Sequence, residues 1–235
     1  MVNNWKTIVQ DWLYPPTCLL CGDPGAHGLD LCLPCMDSLP YNTLACSRCA
    51  LPLTSRSEHL LCGQCQQDPP AYDSAEAVFR YEQPVCHLIQ ALKFGGRHAC
   101  ARTLGLLLAE RVSQQPEHPE VIVPVPLHPR RYWERGFNQS AEIATELSRH
   151  LGIPMDVHLA TRIRHTPAQA GLSAKDRKLN LRKAFRIRTH RLPAHIAIVD
   201  DVVTTGTTVN ELAAALRKAG VRQIAVWAVA RVGTS

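Results

Sequence analysis

Four Cys-x-x-Cys pairs occupy the first 65 residues and constrain the fold more than any other feature of the chain. They hold eight of the ten cysteines, namely Cys18 with Cys21, Cys32 with Cys35, Cys46 with Cys49, and Cys62 with Cys65. Two thiolates at this spacing reach one tetrahedral Zn²⁺, and two pairs complete its coordination shell. The sequence therefore predicts two structural zinc sites, neither with an open position for catalysis.

Disulfide bonding and redox activity are the alternatives to zinc. A disulfide framework requires an oxidising compartment, whereas Trp5, Lys6 and Asp11 interrupt any apolar export signal at the start of the sequence. A redox Cys-x-x-Cys motif explains one pair rather than four. We therefore expect zinc and a cytoplasmic location. The spacing leaves open whether neighbouring pairs share a metal or the pairs alternate.

The chain divides by composition into two parts. Residues 1–70 form a Cys-rich zinc-binding module that ends near Pro69 and Pro70, and residues 71–235 form a larger domain. The module is too short to fold on apolar burial alone, so its stability requires the metal. The two remaining cysteines, Cys86 and Cys100, lie in helix-like stretches, where we expect buried core thiols. The apolar runs are too short to span a bilayer.

Strand and helix patterns alternate along the larger domain. Short apolar runs predict strands at 75–81, 121–125, 159–163, 195–199 and 223–229. Helical periodicity predicts helices starting near residue 85 and over 102–112, 138–151 and 208–218, and residues 164–182 look like a long basic loop. This alternation indicates an α/β fold with a parallel sheet flanked by helices.

The stretch from Ile196 to Thr208 carries the most chemical information. A buried strand delivers Asp200 and Asp201 at its carboxyl end, and a phosphate loop of residues 204–208 then opens a helix. Ligands bind at this edge of an open α/β sheet. The helix N-terminus and the loop amides suit an anion, and the carboxylates suit a sugar diol or water-bound Mg²⁺. The combination indicates a sugar phosphate.

The run Val199-Asp200-Asp201-Val202-Val203-Thr204-Thr205-Gly206-Thr207-Thr208 resembles the phosphoribosyl-pyrophosphate (PRPP) loop of type I phosphoribosyltransferases. The resemblance implies that Asp200 and Asp201 bind the ribose 2′- and 3′-hydroxyls. It also implies that the 5′-phosphate lies against Thr204, Thr205, Gly206, Thr207 and Thr208. The expected fold is therefore a type I phosphoribosyltransferase-like parallel sheet preceded by the zinc module.

Three further segments resemble the ComF/GntX family. They are Val123-Pro124-Val125-Pro126-Leu127, Arg135-Gly136-Phe137-Asn138-Gln139-Ser140, and Gln169-x-x-Leu172-Ser173 with Arg177 and Asn180. With the cysteines, the similarity spans nearly the whole chain. It implies a role in natural competence and DNA use, with a PRPP-type pocket and imported single-stranded DNA as the partner.

Positive charge is concentrated in one part of the chain. The formal net charge is +6, but residues 128–191 alone hold 14 basic and 5 acidic residues. Arg135, Lys175, Arg177 and Lys178 are therefore candidates for contacts with pyrophosphate or a DNA backbone. Tyr132, Trp133 and Phe137 are aromatic candidates for base stacking, although aromatic residues near a turn more often serve packing.

Two other functions fit the same residues. One is a Mg²⁺-dependent transferase that moves phosphoribose from PRPP to a nitrogen base, with Mg²⁺ bound alongside PRPP. The other is a PRPP-sensing regulator. If the chain acts in competence and DNA use, we expect the zinc module to dock proteins of DNA uptake or recombination. The sequence does not decide whether transfer occurs, which acceptor is used, or what oligomer forms.

Overall fold

The computed structural model describes residues 15–55, 60–163, 184–188 and 191–233. In the larger domain its helices and strands follow the predicted alternation, with an unpredicted helix at 129–135 and an unpredicted strand at 185–187. In chain order they are α1 (Leu33–Asp37), α2 (Gly63–Gln67), β1 (Ser74–Arg80), α3 (Val85–Gly95), α4 (His98–Ser113), β2 (Val121–Pro124), α5 (Pro129–Arg135), α6 (Gln139–Leu151), β3 (Ala160–Arg162), β4 (Phe185–Ile187), β5 (His195–Val203), α7 (Thr207–Ala219) and β6 (Gln223–Arg231).

A four-stranded sheet in the order β1-β6-β5-β2 forms the centre of the fold, and every neighbouring pair is parallel. Successive β5 side chains enter opposite faces. Ala197 and Val199 join a core with α3, α4 and α6, whereas Ile196 and Ile198 join a core with α7. Helices therefore cover both faces, which confirms the predicted α/β class.

The helix ends follow local sequence signals. α6 begins after Asn138, whose Oδ1 accepts a hydrogen bond from the Ser140 backbone N–H at 3.1 Å. It ends at Gly152, which adopts a left-handed φ of 70°. These ends fix the first turn of α6, and therefore Ser140, at the carboxyl edge of β5.

Two short zinc units repeat the same local structure. The first zinc unit covers residues 17–37, and the second zinc unit covers the described residues of 45–67. Each contains an isolated antiparallel bridge, Thr17 with Pro24 and Ala45 with Pro52. Each also ends in a five-residue helix, and Cys32 and Cys62 are the N-cap residues of these helices. Both units thus present their two cysteine pairs in equivalent settings.

The zinc units pack on opposite faces of the sheet. Cys18 and Cys32 of the first zinc unit belong to the core beside α4, and Cys46 and Cys62 of the second belong to the core beside α7. The segment between the units pairs with β1, where the Asn42 N–H donates to the Val78 carbonyl at 2.8 Å. A domain boundary near residue 70 stays a prediction, but the apolar cores run across it.

Two local expectations need correction. Cys86 is partly exposed rather than buried, whereas Cys100 is buried as expected. Strand β5 continues to Val203, four residues beyond its predicted end. Asp200 and Asp201 therefore lie inside the strand, and Asp200 pairs with Ala228 of β6.

Candidate functional site

The two carboxylates at the end of β5 are held by residues from two other parts of the sequence. Ser140 Oγ donates to Asp200 Oδ1 at 3.0 Å, and the Asp201 backbone N–H reaches the same oxygen at 3.0 Å. Lys93 Nζ, from α3, lies 2.5 Å from Asp201 Oδ2. Neither Lys93 nor Ser140 carries a sequence signal for this role, because the fold alone brings them to the strand.

The electrostatic state of Asp200 is unusual. Burial and the neighbouring negative charge of Asp201 raise the pKa of Asp200 to about 8, while the Ser140 hydrogen bond and Lys93 oppose the shift. The charged carboxylate is therefore costly in the unliganded protein. Hydrogen-bond donors or cations brought by a ligand stabilise the charged form, which makes this pair a favourable acceptor for a polar ligand.

The phosphate loop places backbone donors next to these carboxylates. Gly206 adopts a left-handed φ of 76° and is the N-cap of α7, with no side-chain cap on the helix. The first amides of α7 are therefore available to an anion. The cleft between β5 and the loop is lined by Asp200, Thr204, Gly206 and Thr208. The structure thus brings Asp200, Thr204, Gly206 and Thr208 to one cleft, whereas Thr205 and Thr207 line a neighbouring cavity that shares Gly206.

Arg131, Arg135 and Arg162 form an arginine cluster in which neighbouring positive charges repel, and Arg162 is attracted to Asp200. Burial lowers the pKa of Arg162, and the positive charge of Arg131 lowers it further, while Asp200 opposes both effects. Burial and the charge of Arg135 likewise lower the pKa of Arg131. Like charges held this close favour an anionic ligand, and guanidinium groups match phosphate oxygens. Sequence reasoning named Arg135 and missed Arg162.

Some of the aromatic side chains near α5 are exposed to solvent, and others pack against the protein. Trp133, Tyr132 and Phe94 are 87%, 52% and 78% exposed, and the Arg135 guanidinium lies 5.5 Å from the centre of the Phe94 ring. The expectation that Tyr132 and Trp133 serve packing is therefore wrong. Phe137 does pack, with its ring centre 5.5 Å from that of His98. The other three predicted basic candidates, Lys175, Arg177 and Lys178, lie outside the described residues.

The two cysteine clusters show which pairs share a metal. Cys18, Cys21, Cys32 and Cys35 form one cluster and Cys46, Cys49, Cys62 and Cys65 the other, with the sulfur atoms of each within 4.8 Å of one another. Neighbouring pairs therefore share a site, which decides the question left open by the spacing. The Sγ atoms of Cys21 and Cys32 are 3.5 Å apart, and those of Cys49 and Cys62 are 3.6 Å apart.

These clusters fit zinc. Four thiolates at a Zn–S distance of about 2.3 Å around a tetrahedral ion lie about 3.8 Å from one another. The second cluster also receives a backbone donor, because the Cys62 N–H lies 3.3 Å from Cys46 Sγ. Burial raises the pKa of Cys46, but backbone N–H donors outweigh burial and leave it about 7. Such donors favour the metal-binding thiolate, so the chemistry is that of a closed structural site.

Comparison with known proteins matches both parts of the chain. A double zinc ribbon domain matches residues 9–66, and a phosphoribosyl transferase domain matches residues 137–235. The chain is 40% identical to "Competence protein F" of Haemophilus influenzae over 86% of this chain and 90% of that protein. The chain belongs to the ComF family.

Two other relatives match this chain over at least two thirds of their own length. "DNA utilization protein YhgH" of Escherichia coli is 41% identical over 92% of this chain and 97% of its own length. "Competence protein ComFC" of Streptococcus pneumoniae is 28% identical over 67% of this chain and 68% of its own length. The family resemblance predicted from the sequence is confirmed. Among the described residues, each helix is too short or too polar to cross a membrane.

Proposed function

We propose that this ComF-family protein binds a PRPP-type ligand at the edge of β5 and α7 and handles single-stranded DNA on the adjoining surface. One observation carries the proposal. The fold assembles two adjacent carboxylates, an uncapped helix N-terminus and the arginine cluster around one edge of the sheet. A phosphoribosyl ligand offers a partner to each of them, namely a diol, a 5′-phosphate and a pyrophosphate.

Each group has a separate part in binding. Asp200 and Asp201 accept hydrogen bonds from the ribose hydroxyls, and Lys93 balances part of their charge. The loop amides and threonine hydroxyls hold the 5′-phosphate. Arg131 and Arg162 face the pyrophosphate oxygens. If Mg²⁺ accompanies the pyrophosphate, the β5 carboxylates would help to hold it through water, and the ion would neutralise further phosphate charge.

Ligand fragments test these parts one by one. Isothermal titration with Mg²⁺ present should detect PRPP, and ribose 5-phosphate and inorganic pyrophosphate should each bind more weakly, because each engages part of the site. Ribose 5-phosphate binding should not require Mg²⁺, whereas pyrophosphate binding should. Absence of heat for PRPP at millimolar concentration would rule out a phosphoribosyl site. Release of pyrophosphate from PRPP with a panel of bases would show that the protein is also a transferase.

The DNA part of the proposal rests on charge and aromatic exposure. The two most similar relatives described above are named for competence and for DNA utilization. In this chain, Trp133 and Tyr132 expose aromatic rings on α5, and Phe94 exposes its ring under Arg135. Exposed rings beside guanidinium groups suit single strands, because bases stack on the rings while arginines track the phosphates.

Salt titration separates the two kinds of DNA contact. We expect Arg135→Ala to reduce the slope of log K against log salt by about 0.7, the value for one lost single-strand phosphate contact. We expect Trp133→Ala to weaken binding about 5- to 150-fold without changing that slope, since a base stack carries no charge. Fluorescence anisotropy with a labelled oligothymidylate measures both quantities.

Two control variants accompany this experiment. Arg149 lies in the last turn of α6, far along the helix from Ser140, so Arg149→Ala should leave affinity and slope unchanged. Trp133→Phe keeps an aromatic face and should restore most of the affinity. Equal effects of Arg135→Ala and Arg149→Ala would contradict a localised surface. Docking of DNA-uptake or recombination proteins on the zinc units stays a prediction, as does the cytoplasmic location.

A further inference from the structure

The second zinc unit contacts the phosphate loop through one buried arginine. Arg231 ends β6 and is 7% exposed. Its Nε donates to the carbonyl oxygen of Cys49, a residue of the second cluster, at 3.1 Å. Its Nη1 donates to the Val203 carbonyl oxygen at 3.2 Å and also to the Thr204 carbonyl oxygen. One guanidinium therefore joins the metal-binding backbone to the start of the loop.

The buried side chain of Tyr72, which follows the second zinc unit in the sequence, lies next to the phosphate loop at Gly206. Tyr72 is 2% exposed, and its hydroxyl lies 3.7 Å from the point where a side chain on Gly206 would begin. A cavity of about 140 Å³ between the unit and the loop is lined by Cys49, Cys65, Tyr72 and Gly206, among others. Cys49 and Cys65 of the second zinc unit thus line the same cavity as Gly206 of the phosphate loop, with Tyr72 between them.

The Arg231 contacts also orient the loop amides. In a planar trans peptide, the C=O of one residue and the N–H of the next point in opposite directions. Because Arg231 holds the Val203 and Thr204 carbonyls, the N–H groups of Thr204 and Thr205 point away from the Arg231 guanidinium. The Val203 carbonyl also accepts from the Val232 N–H at 3.0 Å, so loss of Arg231 would release chiefly the peptide unit between Thr204 and Thr205.

The first zinc unit makes different contacts. Arg102 of α4 donates to Asp30 Oδ2 at 2.9 Å and to the Gly28 carbonyl at 2.8 Å. These contacts are partly exposed and lie beside the core on the other face of the sheet, which contains Leu31 and Cys32. The two units therefore have the same donor set but different neighbours, which makes the first an internal control for the second.

We propose that Arg231 is a positioning residue through which the second zinc unit holds the phosphate loop in its ligand-binding conformation. Zinc at the second cluster then controls phosphate affinity, and zinc at the first does not. This inference rests on the proposed function for its ligand, but the loop conformation can be measured without a ligand.

Two matched cysteine variants separate the units. Cys62→Ser and Cys32→Ser each remove one buried ligand at the N-cap of a five-residue helix. Metal analysis should show loss of one zinc in each. Cys62→Ser should weaken PRPP binding in Mg²⁺ at least about tenfold, whereas Cys32→Ser should change it less than about twofold. Equal weakening by the two variants would overturn the proposal.

Amide hydrogen exchange provides a readout that needs no ligand. Exchange across residues 203–208 should rise in Cys62→Ser and stay at the wild-type rate in Cys32→Ser. If the wild type binds no PRPP but exchange still differs in this way, the proposed function fails and the coupling stands. If exchange is the same in both, the coupling fails regardless of the ligand.

Arg231→Lys and Arg231→Met decide the question even if Cys62→Ser does not fold. Both variants should keep two zinc ions, because Arg231 is not a ligand. A lysine ammonium has no planar fork to reach carbonyls of the unit and the loop together. Both variants should therefore show faster exchange at 203–208 and weaker PRPP binding, with Met the more severe. Wild-type exchange in Arg231→Met would overturn the proposal.

Discussion

Asp200→Asn is expected to weaken PRPP binding about 10- to 100-fold, the range for losing one charge-assisted hydrogen bond. The variant should also raise the melting temperature of the unliganded protein at neutral pH by several degrees. Asparagine keeps an oxygen to accept from Ser140, whose hydroxyl donates to Asp200 at 3.0 Å. It removes the charge that burial and Asp201 disfavour. Function and stability therefore change in opposite directions.

The pH dependence of unfolding shows whether Asp200 stabilises or destabilises the folded protein. The pKa of Asp200 is raised to about 8 in the folded protein, so between pH 4 and 8 the folded state binds more protons than the unfolded state. Its contribution to stability is therefore lost as pH rises through this window. Asp200→Asn should remove that loss, so the gain in melting temperature should grow from pH 5 to pH 8.

Thermal unfolding across this pH range measures the effect. Asp37→Asn is the control, because Asp37 is an exposed carboxyl at the end of α1, and its variant should track the wild type. A lower melting temperature for Asp200→Asn than for the wild type at pH 8 would contradict the conclusion that the charge on Asp200 destabilises the folded protein. Unchanged PRPP affinity would contradict its role in binding.

Removal of both zinc ions should unfold the sheet as well as the zinc units. Structural zinc contributes on the order of 10 kcal/mol to the folding of small zinc domains. The whole stability of a globular domain is about 5–15 kcal/mol. Cys18 and Cys32 pack into the core of one face and Cys46 and Cys62 into the core of the other. Loss of both ions therefore removes packing from both faces, whereas loss of one ion, as in Cys32→Ser, leaves the other face packed.

Near-ultraviolet circular dichroism detects this change, because Trp227 is fully buried in the central strand β6. We expect a chelator to abolish the signal and added zinc to restore it, while a chelator already saturated with zinc should have no effect. An intact sheet signal after both ions have been removed would show that residues 71–235 fold as an independent domain.

Sequence patterns predicted the local chemistry but not the partners supplied by the fold. The Cys-x-x-Cys spacing predicted both zinc sites, yet it left the sharing of pairs open because either arrangement satisfies four-coordination. The strand and loop around Asp200 predicted the anion site. Ser140 and Lys93 stand 60 and 108 residues before Asp200 and Asp201 respectively, and ordinary helical periodicity gave no sign that either faces β5.

Exposure was harder to predict than secondary structure. Trp133 looked like a packing residue because aromatic residues near a turn usually contact the core, but α5 has no buried residues. Cys86 was expected in the core, yet the fold leaves it at an intermediate position. The helix that contains Cys86 was predicted and the helix that contains Trp133 was not, and in both the direction of the side chains depended on neighbours distant in the sequence.

The pairing of the segment between the zinc units with β1 also affects solubility. β1 is an edge strand of the main sheet, and an open edge invites pairing with strands of other molecules. Pro40 and Asn42 cover part of that edge by hydrogen bonds to Arg80 and Val78. The two zinc units hold the ends of this segment in place, so we expect protein without zinc to aggregate through β1. In cells that lack zinc, such protein would be lost as insoluble material.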